Sequence, residues 1–410
     1  MTRAPDGANE RIGEAMFNTR PRVVVIGGGY AGTVAANRMS RKAAVTVINP
    51  RPHFVQRTRL HQFAVGNHHA SGDYRKLLAK GVDLLVDTVI RIEPGTRTVH
   101  LASGGTVDYD YLVYAVGSTA TRRSTVPGVE EFAFPVAEFE HAERLQYALS
   151  SLEPDAVVTV VGAGLTGLET AGELAEQGRR VRLVCSGAIG PMLSEKARAA
   201  TYERLADLQV EIIENARVTR VGPDGFTLDD DTVLESAITV WTAGFGVPEL
   251  ARSSGFRTDE LGRILTDETM TSIDDDRVIA AGDCAAPSGE PVRMACQSAL
   301  PTGLAAADTV LSRIAGEEPA NLDFGFNGVG VSLGRHVGVV QFHERDDTPK
   351  EQAYSGRIAS TIKDLGLKAA MAGLRVEALR PGTMGFLKGG RHPSNTATTE
   401  DLSRTEQPMA

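Results

Sequence analysis

Two glycine clusters, each placed between an apolar run and a stretch of helical periodicity, constrain the fold of this chain most. Residues 27–32 (GGGYAG) follow the β-branched run 23–26, and residues 162–167 (GAGLTG) follow the run 157–161. Both match G-x-G-x-x-G, in which the glycines form a tight turn, admit a pyrophosphate and allow close helix–strand packing. The sequence therefore predicts two dinucleotide-binding units built on parallel strands.

The two turns supply the first candidate cofactor-binding residues. An alternative, that one copy is a relic without a ligand, stays open. The candidates in the first turn are Gly27, Gly29, Tyr30, Ala31 and Gly32, and those in the second are Gly162, Gly164, Leu165, Thr166 and Gly167.

Strand-like segments follow each unit. Alternating residues predict one β-meander over 82–86, 98–101 and 107–114, and a second over 210–214, 217–221, 226–228 and 237–240. Residues 325–342 are again strand-like, and a helical period runs over 357–379.

Composition excludes several classes of protein. A net charge of −9 over 410 residues disfavours bulk nucleic-acid binding, and three cysteines cannot form a secreted disulfide framework. The sequence contains no run of about 18 apolar residues, so no membrane-spanning helix is predicted. The first twenty residues carry Asp6, Glu10 and Glu14, unlike a signal peptide. A cytoplasmic, multidomain protein is expected.

Three further short elements extend the pattern: residues 278–283 (VIAAGD), 115–117 (AVG) and 242–244 (TAG). With the two glycine clusters, they make residues 22–300 resemble the two-dinucleotide-binding-domain flavoproteins, the pyridine nucleotide-disulfide oxidoreductase-like group. The resemblance implies FAD in the first site and NADH or NADPH as hydride donor in the second. It also implies cofactor contacts from Gly282 and Asp283, and from the turns containing Ala115, Gly117, Ala243 and Gly244.

The fold class expected is α/β: two Rossmann-like domains with β-meanders, the second inserted in the first, plus a small C-terminal α+β domain. The predicted FAD-binding domain covers 21–120 and 246–322, the NAD(P)H-binding domain 121–245, and the C-terminal domain 323–388. Residues 1–20 and 389–410 are expected to be disordered tails.

Within this superfamily the chain is most similar to type II NADH:quinone oxidoreductases and the apoptosis-inducing-factor-like group. Residues 162–173 (GAGLTGLETAGE) resemble their second glycine motif, and the resemblance makes Glu169 a candidate catalytic residue facing the nicotinamide and the flavin. The alternative is a carboxylate stabilised by the helix dipole.

Two other segments correspond to flavin-contacting regions of these enzymes. Arg59 and His61 are candidate wall residues of the flavin site, with a solvated helix face as the alternative. Cys296 and Gln297 precede an alanine-rich helix whose N-terminus would approach the flavin, and Gln297 falls near the quinone-site glutamine of the group. Gln297 is therefore also a candidate catalytic residue.

Two positions depart from the family pattern. Asn49 stands where an acid normally binds the adenosine ribose of FAD, so we expect weaker but retained FAD binding. Cys185 and Ser186 stand where an acid would bind the nicotinamide nucleotide's ribose. The choice between NADH and NADPH stays open, because Arg179, Arg180 and Arg182 nearby are equally explained as surface charge.

The remaining cysteine and histidine patterns indicate neither a redox disulfide nor a metal. Cys185, Cys284 and Cys296 do not form C-x-x-C or C-x₄-C, so electrons are expected to pass from flavin straight to an acceptor. Only His68 and His69 are adjacent among the nine histidines, and no metal site is predicted.

The sequence thus predicts an FAD-dependent NAD(P)H oxidoreductase acting on a quinone-like or other small acceptor. The alternatives are a reductase of a ferredoxin-type carrier and a non-enzymatic FAD-binding redox sensor. The apolar stripe 358–379, flanked by basic residues, either packs on its own domain or makes weak peripheral contact with the inner face of the membrane through 357–380. A homodimer is compatible with the sequence.

Overall fold

The computed structural model describes residues 20–120 and 125–391. The predicted disorder of the two tails concerns residues that mostly lie outside these ranges. In the described part of the chain, helices and strands follow the order expected for a duplicated strand–turn–helix–strand unit.

The strands of the described residues are numbered in chain order. They are β1 Arg22–Ile26, β2 Ala44–Asn49, β3 Phe54–Val55, β4 Ser71–Gly72, β5 Val82–Val86, β6 Val89–Glu93, β7 Thr98–Leu101, β8 Thr106–Asp108, β9 Tyr111–Tyr114, β10 Thr119–Ala120, β11 Ala133–Pro135, β12 Val157–Val161, β13 Arg180–Val184, β14 Glu211–Ile213, β15 Val218–Gly222, β16 Gly225–Leu228, β17 Val233–Glu235, β18 Ile238–Trp241, β19 Phe245–Gly246, β20 Ile264–Thr266, β21 Val278–Ala280, β22 Ala285–Pro287, β23 Gly328–Ser332, β24 Gly338–His343 and β25 Pro349–Ser355.

The α-helices of the same residues are numbered likewise. They are α1 Tyr30–Met39, α2 Leu60–Ala64, α3 Val129–Phe132, α4 Phe139–Ser150, α5 Leu165–Glu176, α6 Glu195–Asp207, α7 Leu250–Ser253, α8 Cys296–Ala315 and α9 Gly356–Leu379.

Two parallel five-stranded sheets form the centre of the molecule, with orders β21-β9-β1-β2-β5 and β11-β18-β12-β13-β14. The central strands β1 and β12 are almost fully buried, as expected of β-branched runs covered on both faces. Strand β21 returns to the first sheet after the whole second sheet has formed. The second unit is therefore inserted in the first, which confirms the predicted fold class.

The two predicted meanders were drawn too wide. Strands β5 and β9 pair in parallel with β2 and β1 in the first sheet, and β14 and β18 belong to the second sheet. The antiparallel meanders are β6-β7-β8 and β15-β16-β17. The half-buried alternation of β5, which is an edge strand, resembles that of an antiparallel strand, and this explains the error.

The C-terminal part consists of the antiparallel sheet β23-β24-β25 and helix α9. Helix α9 packs through Met371 and Leu374 against the first unit, in a cluster with Tyr30, Phe54 and Tyr74. The predicted stripe is not buried by this packing: Ile358, Ile362, Leu365, Ala369, Ala372, Val376 and Leu379 are all exposed, and Ile362 and Ala369 also border the cavity described below. The interpretation of the stripe as packing on its own domain is therefore wrong.

Within the described ranges, no helix combines the length and the apolar character that crossing a bilayer requires.

Candidate active site

The first glycine turn joins β1 to α1. Gly27 has φ +101°, and a Cβ on it would overlap the Ala115 carbonyl of the neighbouring strand end. A Cβ on Gly29 would meet nothing within 4 Å, so the backbone there borders open space. A Cβ on Gly32 would overlap the Gly27 carbonyl. The turn thus leaves room for a ligand at the N-terminus of α1, where free amides favour an anion.

A cavity of about 820 Å³ opens at this turn and reaches to α5, α8 and the C-terminal part. This volume lies within the range typical of cofactor sites. The predicted residues that line it are Gly27, Gly29, Tyr30, Ala31, Asn49, His61, Ala115, Gly117, Leu165, Thr166, Glu169, Gly282, Asp283, Cys296 and Gln297.

A second cavity, of about 400 Å³, lies at the glycine turn between β12 and α5. Gly162, Gly164 and Ala243 line it, whereas Leu165 and Thr166, directly after this turn, line the larger cavity. The N-terminus of α5 therefore lies between the two cavities. A ligand bound at the second turn could extend along α5 into the first cavity.

Three predicted glycines lie outside both linings. Gly32 and Gly167 press against the carbonyls of Gly27 and Gly162, which suits the packing role of the third glycine. Gly244 follows Ala243 with φ +82° but does not reach either cavity.

The structure also places Arg59 outside the cavity lining, because its guanidinium pairs with Asp364 and Gln62. Arg57 lines the cavity instead and donates to the Ser118 carbonyl at 2.6 Å. Burial lowers the pKa of the Arg57 guanidinium, and the charge of Asp283 opposes that shift. Arg57 is thus a half-buried cation at the cavity that sequence reasoning missed.

Asn49 lines the cavity with both polar atoms of its amide already bonded. Its Oδ1 accepts from the Gly28 amide at 3.0 Å, and its Nδ2 donates to the Arg51 carbonyl at 2.7 Å. A carboxylate could make the first bond but not the second. In this chain Asn49 therefore links the glycine turn to the residues after β2 through two hydrogen bonds. This explains locally why an amide and not a carboxylate occupies the position.

Asp283 lies in the short turn between β21 and β22. Its Oδ2 accepts from the Ser118 hydroxyl at 2.6 Å, whereas its Oδ1 is buried without a protein partner. A buried oxygen of this kind is costly unless a ligand satisfies it. Asp283 is thus available to accept a hydrogen bond from a ligand hydroxyl in the cavity.

A polar cluster closes the cavity at the face of α5, and it consists of His61, Glu169, Ser332 and Lys363. The Lys363 ammonium contacts the Glu169 carboxylate and donates to the Ser332 hydroxyl at 2.8 Å, and Glu169 Oε2 lies 3.5 Å from His61 Nδ1. Burial, followed by the charge of Arg59, lowers the pKa of Lys363 to about 7. Burial also lowers the pKa of His61 well below its ordinary value, so this imidazole is neutral.

Helix α8 begins at Cys296, beside Tyr30 and the cavity. Burial raises the pKa of the Cys296 thiol to about 12, and likewise that of Cys284. All three cysteines are free, and the neutral thiols are poor nucleophiles. Gln297 contacts Asn327 and, with its amide turned to donate to the Gly328 carbonyl at 2.9 Å, accepts from the Asn327 amide at 3.0 Å.

No group of three or more histidine, cysteine or acidic side chains in residues 20–120 and 125–391 could hold a metal ion.

The fold and the cavities define an α/β protein with two glycine turns, each of which borders a cavity. Residues 21–302 match the family model described as pyridine nucleotide-disulphide oxidoreductase. A NADH dehydrogenase-like protein of Mycobacterium tuberculosis is 33% identical over 325 residues, 71% of this chain and 80% of that protein. The chain therefore belongs to the pyridine nucleotide-disulphide oxidoreductase family, as the glycine motifs predicted.

Two other relatives match over most of their length. A type II NADH:quinone oxidoreductase of Staphylococcus haemolyticus is 27% identical over 391 residues, 84% of this chain and 96% of that protein. The structure of NDH2 from Plasmodium falciparum in complex with NADH superposes with a TM-score of 0.76 at 15% identity, covering 88% of this chain and 97% of that one. The predicted resemblance to the type II group is confirmed, and the protein is an oxidoreductase.

Proposed function

We propose that this protein is an FAD-dependent NAD(P)H oxidoreductase that passes electrons to a quinone-like acceptor without a redox disulfide. One observation carries the proposal: a single cavity extends from the first glycine turn and Asp283 to the cluster of Glu169 and Lys363. It joins a dinucleotide cradle, the N-terminus of α5 and a protonatable lysine in one space.

The residues of the larger cavity suit FAD. In the first glycine turn the backbone at Gly29 borders open space at the N-terminus of α1, and the buried Asp283 Oδ1 awaits a donor such as a ribitol hydroxyl. Arg57 adds a positive charge on the same lining. When bound, FAD would accept a hydride from the nicotinamide and pass the electrons to the acceptor.

The part of the cavity lined by α9 and the loop after it suits an apolar ring that becomes protonated on reduction. Apolar side chains of α9 and the following loop line it, namely Ile362, Leu367, Ala370, Met384 and Phe386. Lys363 and Glu169 hold a proton beside these side chains, and the Ser332 hydroxyl contacts both. The type II relatives, whose names give quinone as the acceptor, support a quinone-like substrate.

A spectroscopic titration tests the proposal. The purified protein should be yellow, should bleach rapidly when a nicotinamide nucleotide is added without oxygen, and should recolour with menadione. If only a ferredoxin restores the colour, the electron acceptor is a carrier protein and not a quinone. A yellow protein that neither nucleotide bleaches would reject the enzyme proposal in favour of a redox sensor.

We also propose that the exposed stripe of α9 contacts a membrane surface next to the acceptor end of the cavity. Ile358, Leu365 and Leu379 are 68, 59 and 80% exposed, and Arg357, Arg375 and Arg380 are exposed on the same helix or directly after it. Lys363 does not belong to this basic flank, because it points inward to Glu169.

Replacing Ile358, Leu365 and Leu379 together by serine should weaken sedimentation with anionic liposomes at low salt by at least about 10-fold. Each buried Leu or Ile contributes about 1.5–3 kcal/mol. The matched control is Tyr147→Ser, which removes an apolar side chain that is 78% exposed on α4. Equal liposome binding by the triple variant and the wild type would reject the contact.

A further inference from the structure

The smaller cavity lies where a nucleotide's adenosine would bind in the second unit. It is lined by a positively charged residue, Arg217, that the sequence motifs did not predict. Three of the segments that line the cavity carry the argument: the glycine turn at Gly162, residues 185–188 after β13, and residues 216–218 before and at the start of β15. The Ala216 amide donates to the Cys185 carbonyl at 3.0 Å, which places Arg217 next to the end of β13.

In dinucleotide-binding units the residue after the second strand decides between the two nicotinamide nucleotides. An acid there binds the ribose 2′-hydroxyl of NADH and repels the 2′-phosphate of NADPH. In this chain Cys185 and Ser186 occupy that place. The Cys185 thiol donates to the Gly187 carbonyl, whereas the Ser186 hydroxyl is exposed and has no partner among the described residues.

Among the residues described around this cavity, none that line it is Asp or Glu. The acid nearest to it in sequence, Glu214, is held elsewhere: its Oε1 accepts from the Ile189 amide at 2.6 Å and from the Tyr202 hydroxyl. The cavity therefore presents no carboxylate that would repel a phosphate.

Arg217 lines the cavity, is exposed, and forms no ion pair with any residue that the structure describes. Its amide donates to Asp229 Oδ1 at 3.2 Å, which anchors the backbone while leaving the guanidinium available. Of the three arginines considered from sequence, Arg180 begins β13 at the end away from the cavity, and the other two are engaged otherwise. Arg179 donates to the carbonyls of Leu149 and Leu152, and Arg182 pairs with Glu211.

We propose that Ser186 and Arg217 bind the 2′-phosphate of NADPH in this cavity, so that the enzyme prefers NADPH over NADH. The inference rests on the proposed function, because it names the nucleotide that the same site uses. A guanidinium binds a phosphate through charge-assisted hydrogen bonds, and an exposed hydroxyl beside it adds another donor.

Calorimetry with the FAD-loaded protein tests the site without turnover. The ligands are adenosine 2′,5′-bisphosphate and adenosine 5′-monophosphate, which differ only in the 2′-phosphate. The bisphosphate should bind at least about 10-fold more tightly, an effect that shrinks with salt. Arg217→Ala should remove most of the difference, and Ser186→Glu should reverse it. Arg220→Ala, the same charge change at a residue outside the cavity, should leave it intact.

Equal or tighter binding of the monophosphate by the wild type would overturn the proposal, as would an unchanged preference in Arg217→Ala. Kinetics separates this outcome from failure of the proposed function. If NADH reduces the flavin with the higher kcat/KM and the monophosphate binds tighter, the NADPH preference is wrong and the oxidoreductase stands. If neither nucleotide reduces the flavin but the bisphosphate is still preferred, the phosphate site stands and the proposed reaction is wrong.

Discussion

The Asp283→Ala variant is expected to be isolated largely colourless. Asp283 Oδ1 is buried without a protein partner at the cavity, and its charge opposes the effect of burial on Arg57. A hydrogen bond to a charged group contributes about 1.5–3 kcal/mol, so its loss should weaken FAD binding about 10- to 100-fold. Arg57 would in addition lose its balancing charge. The ratio of absorbance at 450 nm to that at 280 nm, followed by FAD titration of the apoprotein, measures the effect.

The matched control is Asp283→Asn, which keeps the shape and an acceptor for the Ser118 hydroxyl. It should retain more flavin than the alanine variant. Thermal unfolding of both apoproteins shows whether the fold is intact, since loss of colour by a misfolded protein would be uninformative. Full flavin occupancy in a folded Asp283→Ala protein would contradict the proposed contact.

The Lys363→Met variant is expected to lose quinone reduction by on the order of 10²-fold, the contribution of one positioned acid. Reduction of the flavin by the nicotinamide nucleotide should change far less, because the substitution removes a proton donor at the acceptor end of the cavity. Stopped-flow measurement of the two half-reactions separates these effects. Lys368→Met serves as the control, since Lys368 is exposed on the same helix and, among the residues that the structure describes, pairs only with Asp364.

The same lysine predicts the direction of the pH dependence. Its pKa is lowered to about 7, so the ammonium that donates the proton is depleted as the pH rises through neutrality. Quinone reduction by the wild type should therefore fall across this range, and the residual rate of Lys363→Met should be flat there. A wild-type rate that increases with pH, or a slope that survives the substitution, would exclude Lys363 as the donor.

Local patterns allowed much of the fold to be predicted from the sequence. The glycine turns lie directly between a buried β-branched strand and a helix, and each glycine has its own steric reason, as the Gly27 and Gly32 contacts illustrate. Asp283 could be placed because its motif is short and its strand, β21, is continuous and apolar. The order of strands within the sheets was harder, because an edge strand such as β5 alternates like a meander strand.

The polar parts of the candidate site were less accessible to sequence reasoning. Glu169 was identified, but its partner Lys363 follows it by almost two hundred residues and looked like one of four basic residues flanking an apolar stripe. Arg57 and Arg59 are two positions apart in a short turn, and only the tertiary pairing of Arg59 with Asp364 decides which one lines the cavity. Arg217 belongs to none of the sequence motifs that indicated the site. Long-range pairing of charged side chains leaves no periodic trace in a sequence.

The contact between α5 and β23 determines how this enzyme could be rebuilt by engineering. Leu168 and Leu174 of α5 share one buried cluster with Val331 of β23 and Leu333 directly after that strand, and a Cβ on Gly172 would come within 2.8 Å of Leu333 Cα. A C-terminal segment taken from another enzyme would thus pack poorly against α5, because this contact leaves no room for different side chains. A chimera that exchanges acceptor specificity would therefore have to replace helix α5 together with the C-terminal segment. Because α5 begins at the second glycine turn, the nucleotide site would be replaced as well.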